Sequence, residues 1–349
     1  MRILQITLSL SLILLFTTAA SAKIVFSAYQ DRNDHIYVMD DDGSNIRQLT
    51  NYPHMEVQPR WSPDGTQIAF LRDTDPSSSI RLNTFIMNAD GTNVRQLTNH
   101  RGNDKGLTFS PDGKKLLVSS HPNTGVEKIG LYVIDIESGN TQKISNLEIS
   151  AVDWSPDGKH IVFVDIGFWA TEDNLWMMNA DGSDPRPWTP PIKRARTMDR
   201  GRPKWSPDGQ QILYTETYLN VQEMLLDDGG VFRRIRAAGK YRYIIRNVNG
   251  GATERLNIPK GWVARSVAWM NGQESVLFSA FVDFEHKDEW NRTRWVQLYK
   301  YDLASEQITQ LTHDPGSKMS ADWVRGAYAV SPAGKQSVRW GELKKAYSD

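Results

Sequence analysis

Four carboxylates recur in one setting and are the first residues whose spacing could do chemistry. Asp64, Asp112, Asp157 and Asp208 each stand third in a Ser-Pro-Asp-Gly turn, within Trp61-Ser-Pro-Asp-Gly65, Phe109-Ser-Pro-Asp-Gly113, Trp154-Ser-Pro-Asp-Gly158 and Trp205-Ser-Pro-Asp-Gly209. Repeated acids could form a metal site or an acid ring. The turn explains them better: serine first, proline second and glycine fourth are what a type I turn asks for, and aspartate suits the third place. Histidine is the next candidate. Of 7 His, three (His54, His100 and His313) fall at equivalent places, each just after a short fourth strand. Three imidazoles around one axis could hold a divalent ion, although polar loops carry histidine for many reasons. The chain has no Gly-x-Ser-x-Gly elbow, no His-Glu-x-x-His, no Walker-type phosphate loop and no EF-hand loop. With 0 Cys it also has no thiol nucleophile, disulfide or zinc-thiolate site. The expectation is a non-catalytic protein without a cofactor, with a divalent metal at the three histidines as the alternative.

The elements that would carry these residues are repeated. After the four Ser-Pro-Asp-Gly turns come weaker copies at Trp269-Met-Asn-Gly272 and Trp323-Val-Arg-Gly326, with aromatic intervals of 48, 45, 51, 64 and 54 residues. A second signature runs out of phase with the first, in His35-Ile-Tyr-Val-Met-Asp40, Thr84-Phe-Ile-Met-Asn88, Gly130-Leu-Tyr-Val-Ile-Asp135 and Asn174-Leu-Trp-Met-Met-Asn179. Tyr241-Arg-Tyr-Ile-Ile245 and Val296-Gln-Leu-Tyr-Lys-Tyr301 complete it. Most copies lead into an Asp-Gly turn and a short strand such as Ile46-Arg-Gln-Leu-Thr50. Each unit therefore reads as four short antiparallel strands, with glycine supplying the positive φ of the hairpins and β-branched and aromatic residues filling the strands. Such a unit repeated six times is the mark of an all-β, six-bladed β-propeller. The phase of the repeats predicts its closure. Lys23 to Thr50 holds strands two to four of a blade, and Met319 to Gly326 is a first strand without successors. Pairing the two leaves no open sheet edge. The tryptophans of the repeat are expected in the core between blades.

Charge points to where a partner would bind. Lys+Arg and Asp+Glu are equal at 41 each, which argues against a nucleic-acid binder. The balance breaks locally. Lys193, Arg194, Arg196, Arg200 and Arg202 crowd one connection between blades, and Arg233, Arg234 and Arg236 fall in an inflated connection of the next blade, on the same propeller face. The adjacent blade adds Asp283, Glu285, Asp288 and Glu289 beside Trp290 and Trp295. The ten basic and Trp residues from Lys193 to Trp295 named here form the expected partner site, steering an acidic partner. The alternative is that basic and acidic loops pair with each other and solvate the rim.

Residues 1–22 read as a signal peptide: Arg2, an apolar run over Ile3–Phe16, then Ala20-Ser21-Ala22. The run is shorter than the roughly 20 residues a spanning helix needs. A periplasmic or secreted monomer without a membrane span is expected, divided into a signal peptide (1–22), a propeller (23–326) and a C-terminal tail (327–349).

The Trp-Ser-Pro-Asp-Gly turn, the Ile-Tyr-x-Met-Asn/Asp strand, the Asp-Gly turn and the Arg-x-Leu-Thr strand together resemble the TolB propeller repeat, over nearly all of residues 23–326. TolB proteins carry an α/β domain before the propeller, whereas here the repeats follow directly on residue 22. The resemblance implies a TolB-like interaction platform of the cell envelope, with a Pal-like lipoprotein or another envelope protein as partner. Oligogalacturonate lyases share the repeat and use a metal, so a polyuronate lyase or binder of acidic polysaccharide is the second expectation.

Overall fold

The computed structural model describes residues 23–325, apart from 31, 76–79, 122–128, 167–174, 191–197, 226–230 and 282–294. The expected signal peptide and C-terminal tail lie outside the described residues. Strands alternate with tight turns throughout. The opening strands are β1 (Lys23–Gln30), β2 (Asn33–Asp40) and β3 (Arg47–Gln48). Four-strand units follow. The first holds β4 (Glu56–Trp61), β5 (Gln67–Asp73), β6 (Leu82–Asn88) and β7 (Arg95–Gln96). The next holds β8 (Asn103–Phe109), β9 (Lys115–His121), β10 (Gly130–Asp135) and β11 (Thr141–Ser145). Then come β12 (Ile149–Trp154), β13 (His160–Asp165), β14 (Leu175–Asn179) and β15 (Arg186–Pro187). The unit of β16 (Met198–Trp205), β17 (Gln211–Leu225), β18 (Val231–Asn247) and β19 (Thr253–Arg255) has the longest strands. Last are β20 (Val263–Met270), β21 (Ser275–Phe281), β22 (Gln297–Asp302), β23 (Ile308–Gln310) and the lone β24 (Lys318–Val324). Among the described residues no helix is long and apolar enough to cross a membrane.

The strands form six four-stranded antiparallel sheets, and the sixth has the order β24-β1-β2-β3. β24 lies against β1 with Lys23 opposite Val324, Ile24 opposite Trp323 and Ala28 opposite Lys318. The ring is thus closed by strands from the two ends of the propeller, as the repeat phase requires. Lys318 fixes the start of the closing strand. It is 1% exposed, and its ammonium donates to the carbonyls of Asp314, Pro315 and Gly316 at 2.6, 2.9 and 2.8 Å. Three charge-assisted bonds tie down a loop that has no disulfide to hold it.

Burial is distributed around the ring, because each blade is too thin to hide its own faces. Six apolar clusters fill the six wedges between neighbouring blades. One packs Val25, Ile36 and Val38 of the closing blade against Trp61, Ile68 and Phe70 of the next. Another packs Val162, Leu175 and Met177 against Trp205, Ile212 and Tyr214. Trp61, Trp205 and Trp269 are 5%, 8% and 7% exposed and each sits in such a wedge, as expected of the repeat aromatics. The Asp-Gly turns join the same contacts. At Gly182 (φ +87°) a Cβ would fall 2.0 Å from the Ile144 carbonyl oxygen of the neighbouring blade. Only glycine permits that approach, so this turn is a point of blade-to-blade packing as well as a hairpin.

The Ser-Pro-Asp-Gly turns hold themselves. The Ser110 hydroxyl donates to Asp112 at 2.6 Å, the Lys114 N–H to the same carboxylate oxygen at 3.1 Å, and the Gly113 N–H to the Ser110 carbonyl at 2.9 Å. Gly113 lies in the left-handed region at φ +70°. The other three turns repeat this geometry, which assigns the four recurrent aspartates to structure.

Two outcomes follow from closure and turns. A chain ending at Ser317, without β24, exposes the β1 edge and should lose its single cooperative thermal transition; a sharp transition at unchanged Tm would contradict closure. The second outcome concerns acid. Hydrogen bonds from the Ser110 hydroxyl and the Lys114 N–H hold the Asp112 carboxyl below the usual range, and Ser155 with the Lys159 N–H do the same for Asp157. Depressed carboxyls stabilise the fold fully above the unfolded value, about 3.9, and that contribution is lost as pH falls through the lower folded value. Tm should therefore drop more gently between about pH 4 and pH 2 in the Asp112→Asn/Asp157→Asn variant than in the parent.

Candidate functional site

The innermost strand of every blade faces the ring axis, so β4, β8, β12, β16, β20 and β24 enclose a channel. All six contribute to an upper chamber of about 540 Å³ at the end where chain enters these strands. All six also contribute to a lower chamber of about 440 Å³ at the Ser-Pro-Asp-Gly end. Arg60 and Lys204 belong to the walls of both chambers.

A defect shared by all the inner strands shapes the upper chamber. Pairing with the second strand slips in each blade, at Val57/Arg60, Lys105/Leu107, Ile149/Ala151, Gly201/Lys204, Ala264/Ser266 and, in the closing blade, Val25/Ser27 of β1 against β24. Four of these bulges place a residue in the left-handed region: Gln58 (φ +54°), Gly106 (φ +49°), Arg202 (φ +53°) and Ser320 (φ +55°). All four line the upper chamber. Left-handed backbone at non-glycine residues costs of order 1–3 kcal/mol and collects at ligand sites. Five basic residues line the described wall, Arg60, Arg200, Arg202, Lys204 and Arg265; Arg200 and Lys204 are paired with the carboxylates of Glu216 and Asp153 beside it, at 3.2 and 2.8 Å.

Below this wall runs a ring one residue ahead of each repeat aromatic: Arg60, Thr108, Asp153, Lys204, Ala268 and Asp322. Asp153 clamps three blades, accepting from the Thr108 hydroxyl at 3.1 Å, Lys204 Nζ at 2.8 Å and the Trp205 N–H at 2.9 Å. Asp322 repeats the last contact on the Trp61 N–H at 2.9 Å. Arg60 does not repeat the Lys204 pair. Its Nη1 donates to the carbonyls of Pro59 and Ser320, at 2.8 and 3.2 Å, and it makes no ion pair with any described residue.

The residues nominated from sequence divide in four. Lys193, Arg194, Arg196 and Trp290 lie outside the described residues, as do the acidic residues 283–289. Arg200 is turned into its blade: its Nε donates to Glu216 at 3.2 Å and its Nη1 to the Pro190 carbonyl at 2.8 Å, because Arg200 and Glu216 stand opposite each other across β16 and β17. Arg202 lines the channel and is exposed, and Trp295 is half-buried ahead of β22. Arg233, Arg234 and Arg236 are not in a loop. The inflated connection is a two-stranded arm in which β17 and β18 stay paired from Leu219 opposite Ala237 out to Leu225 opposite Val231, Glu223 and Arg233 being register partners. Seven pairs carry it roughly 20 Å past the blade, on the upper face.

The three histidines do not gather. His100 is spent on its own blade, with Nε2 2.8 Å from both Asp104 Oδ1 and Ser120 Oγ, and with Nδ1 accepting from the Gly102 N–H at 3.0 Å. That bond places the proton on Nε2 and uses both ring nitrogens. His54 packs edge-on to Tyr52 at 5.6 Å, and His313 is exposed. Among the described residues no group of three His, Asp or Glu side chains could hold a metal. Apart from Arg200 and Arg202, the channel wall was missed from sequence because its residues precede the repeat aromatics singly, one or two per blade, and only the ring assembles them. The signal available was the basic residue at one repeat position, Arg60 and Lys204, beside the acids Asp153 and Asp322.

The clamp is testable. Asp153→Asn leaves the Lys204 ammonium without its carboxylate inside the channel and should cost about 3 kcal/mol or more of unfolding free energy. Asp208→Asn, on an exposed turn, should cost less than half as much in the same urea titration.

A family model described as the Tricorn protease N-terminal beta propeller domain matches residues 11–174. The TolB homolog of Chlorobaculum tepidum is 48% identical over 48 residues, which are 14% of this chain and 11% of that protein. TolB from Acinetobacter baumannii superposes with a TM-score of 0.62 at 17% identity, covering 87% of this chain and 66% of that one. Kuenenia stuttgartiensis hydrazine synthase gives 0.62 at 15% identity, over 90% of this chain and 48% of that one. This chain therefore spans a small part of the curated relative and about half to two thirds of the two solved chains; at these identities the structures share its fold alone. Repeat signature and ring of six blades together make the chain a six-bladed β-propeller whose repeats are similar to those of TolB and of the Tricorn N-terminal propeller.

Proposed function

We propose that this propeller is a non-catalytic interaction platform of the cell envelope that receives an acidic partner protein on its upper face. The observation that carries the reading is the upper chamber, whose described wall holds Arg60, Arg202 and Arg265 besides the carboxylate-paired Arg200 and Lys204, with Arg202 and Arg265 exposed, opening on the face that also bears the β17–β18 arm. A concentrated positive field on a chain of balanced charge steers acidic partners and sets orientation more than affinity. The arm adds paired backbone beside that mouth, and strained bulges hold the wall in place. Residues 1–22, with their signal-like pattern, support a periplasmic or secreted location, and the TolB-type repeat supports a Pal-like lipoprotein as the first partner to test. The polyuronate lyase reading loses support at His100, whose two ring nitrogens are already engaged.

Pull-down from a solubilised cell envelope tests the proposal. Arg202→Glu with Arg265→Glu should abolish capture of the acidic partner at about 0.1 M salt. Lys114→Glu with Lys159→Glu, an equal charge change on the opposite face, should leave capture intact. Equal loss in both double variants would remove the upper face from the function.

A further inference from the structure

Outer sheet edges are kept short everywhere but at the arm. The fourth strand of each blade lies along the rim, and these strands are brief: β3, β7 and β15 have two residues each, β19 and β23 three, and β11 five. Short edges are one way in which sheet proteins avoid pairing with other chains. β18 departs from this. β19 covers it only at Ile244, Ile245 and Arg246, with one further bond from the Leu256 N–H to the Tyr243 carbonyl. Along the arm, from Val231 to Ala237, its one strand partner among the described residues is β17. The side of β18 away from β17 is therefore a seven-residue edge, longer than the outer strand of any blade.

The register says what such an edge accepts. Alternation places Val231, Ile235 and Ala237 on one face of the ribbon, with Leu225, Val221 and Leu219 as their partners. That face is apolar apart from Glu223 and Arg233, which are register partners of opposite charge. Arg234 and Arg236 stand on the other face, and their partners Gln222 and Asn220 are neutral. Two positive charges at alternate positions are thus uncompensated across the ribbon. A two-stranded ribbon is marginal in water, and a third strand that extends its apolar face makes it stable. A second copy of the same edge does not qualify. Antiparallel pairing of two copies about Arg234 or Ile235 sets arginine directly opposite arginine, and like charges so placed are destabilising. A strand with carboxylates at alternate positions does qualify.

We infer that the outer edge of the arm takes up an extended segment of an acidic partner protein as a third strand, with apolar residues alternating with carboxylates opposite Arg234 and Arg236. Backbone hydrogen bonds supply affinity, and the two arginines select the strand. This rests on the acidic partner protein proposed above and adds where and how it is held. The contact lies on the rim side of the arm, apart from Arg202 and Arg265 in the channel.

A fluorescein-labelled peptide, Thr-Val-Glu-Ile-Glu-Val-Thr, titrated with the full-length protein and followed by anisotropy, tests the edge. Saturable binding is expected, weakened about tenfold or more by Arg234→Glu with Arg236→Glu at unchanged Tm. The peptide with lysine in place of both glutamates should not bind. N-methylation of its three aliphatic residues, or separately of its two glutamates, removes backbone donors from one edge at a time, and at least one of these versions should fail to bind. Absence of saturable binding overturns the inference. So does binding that both N-methylated versions or the lysine peptide retain in full, or that the double arginine variant leaves unaltered. A protein that sediments as a dimer, and as a monomer once residues 219–237 are replaced by Gly-Gly, gives the edge to a second copy and overturns it as well. Capture of an envelope protein that needs Arg202 and Arg265, by a chain whose arm takes up no peptide, leaves the proposed function standing and removes this inference alone.

Discussion

Everything in this molecule depends on blades that cannot hide their own faces. A four-stranded sheet has two sides and, among the described residues, no α-helix to cover them, so each blade obtains its core from its neighbours. The six apolar wedges are the result, and they explain residues that would look unrelated in a linear reading. Trp61 and Trp205 fill wedges. Gly182 is glycine because the neighbouring blade's carbonyl occupies the place of its Cβ. Lys318 is buried because the loop that delivers the last strand has to be fixed. Stability of this kind is cyclic: a loss at one wedge is felt at the next.

A ring held from its wedges leaves its axis free for other work. The inner strands would point regular alternating side chains at the axis if they ran straight. They do not: every one carries a bulge at the same level, and Gln58, Arg202 and Ser320 adopt left-handed backbone there. Packing in the wedges over-determines these strands and so supports the strain. The outcome is a basic wall at one end and an aromatic one at the other, joined at Arg60 and Lys204.

The fold was legible because it is written six times. The Trp-Ser-Pro-Asp-Gly turn and the out-of-phase Tyr/Met strand set blade number, strand order and even closure, since the missing first strand of the opening unit had one candidate to complete it. The site was legible only in part. Arg202 stood out within a run of basic residues, yet Arg60 stands alone beside Pro59 and carries no local mark. Its place in the channel wall appears when Ser320, 260 residues away in sequence, comes within 3.2 Å. The arm was visible as an inflated connection, but not as paired strands, because Gln222 and Arg234 carry no hairpin signal of their own and find their register only by extending β17 and β18. His100 misled for the opposite reason: an equivalent position in three repeats suggested shared work, while Asp104 and Ser120 occur beside only one of them.

The pairing of β24 with β1 also sets an order of events. A disc finished by its last strand stays ajar for the whole time the polypeptide is being made, with the edge of β1 bare and Ile24 and Phe26 lacking their cover. Unpaired edges of that sort recruit other strands. Final locking then comes in one late step that joins residues about 300 positions apart, a slow kind of encounter for any chain. Newly synthesised molecules should accordingly depend on chaperoning until that moment, and resist disassembly afterwards.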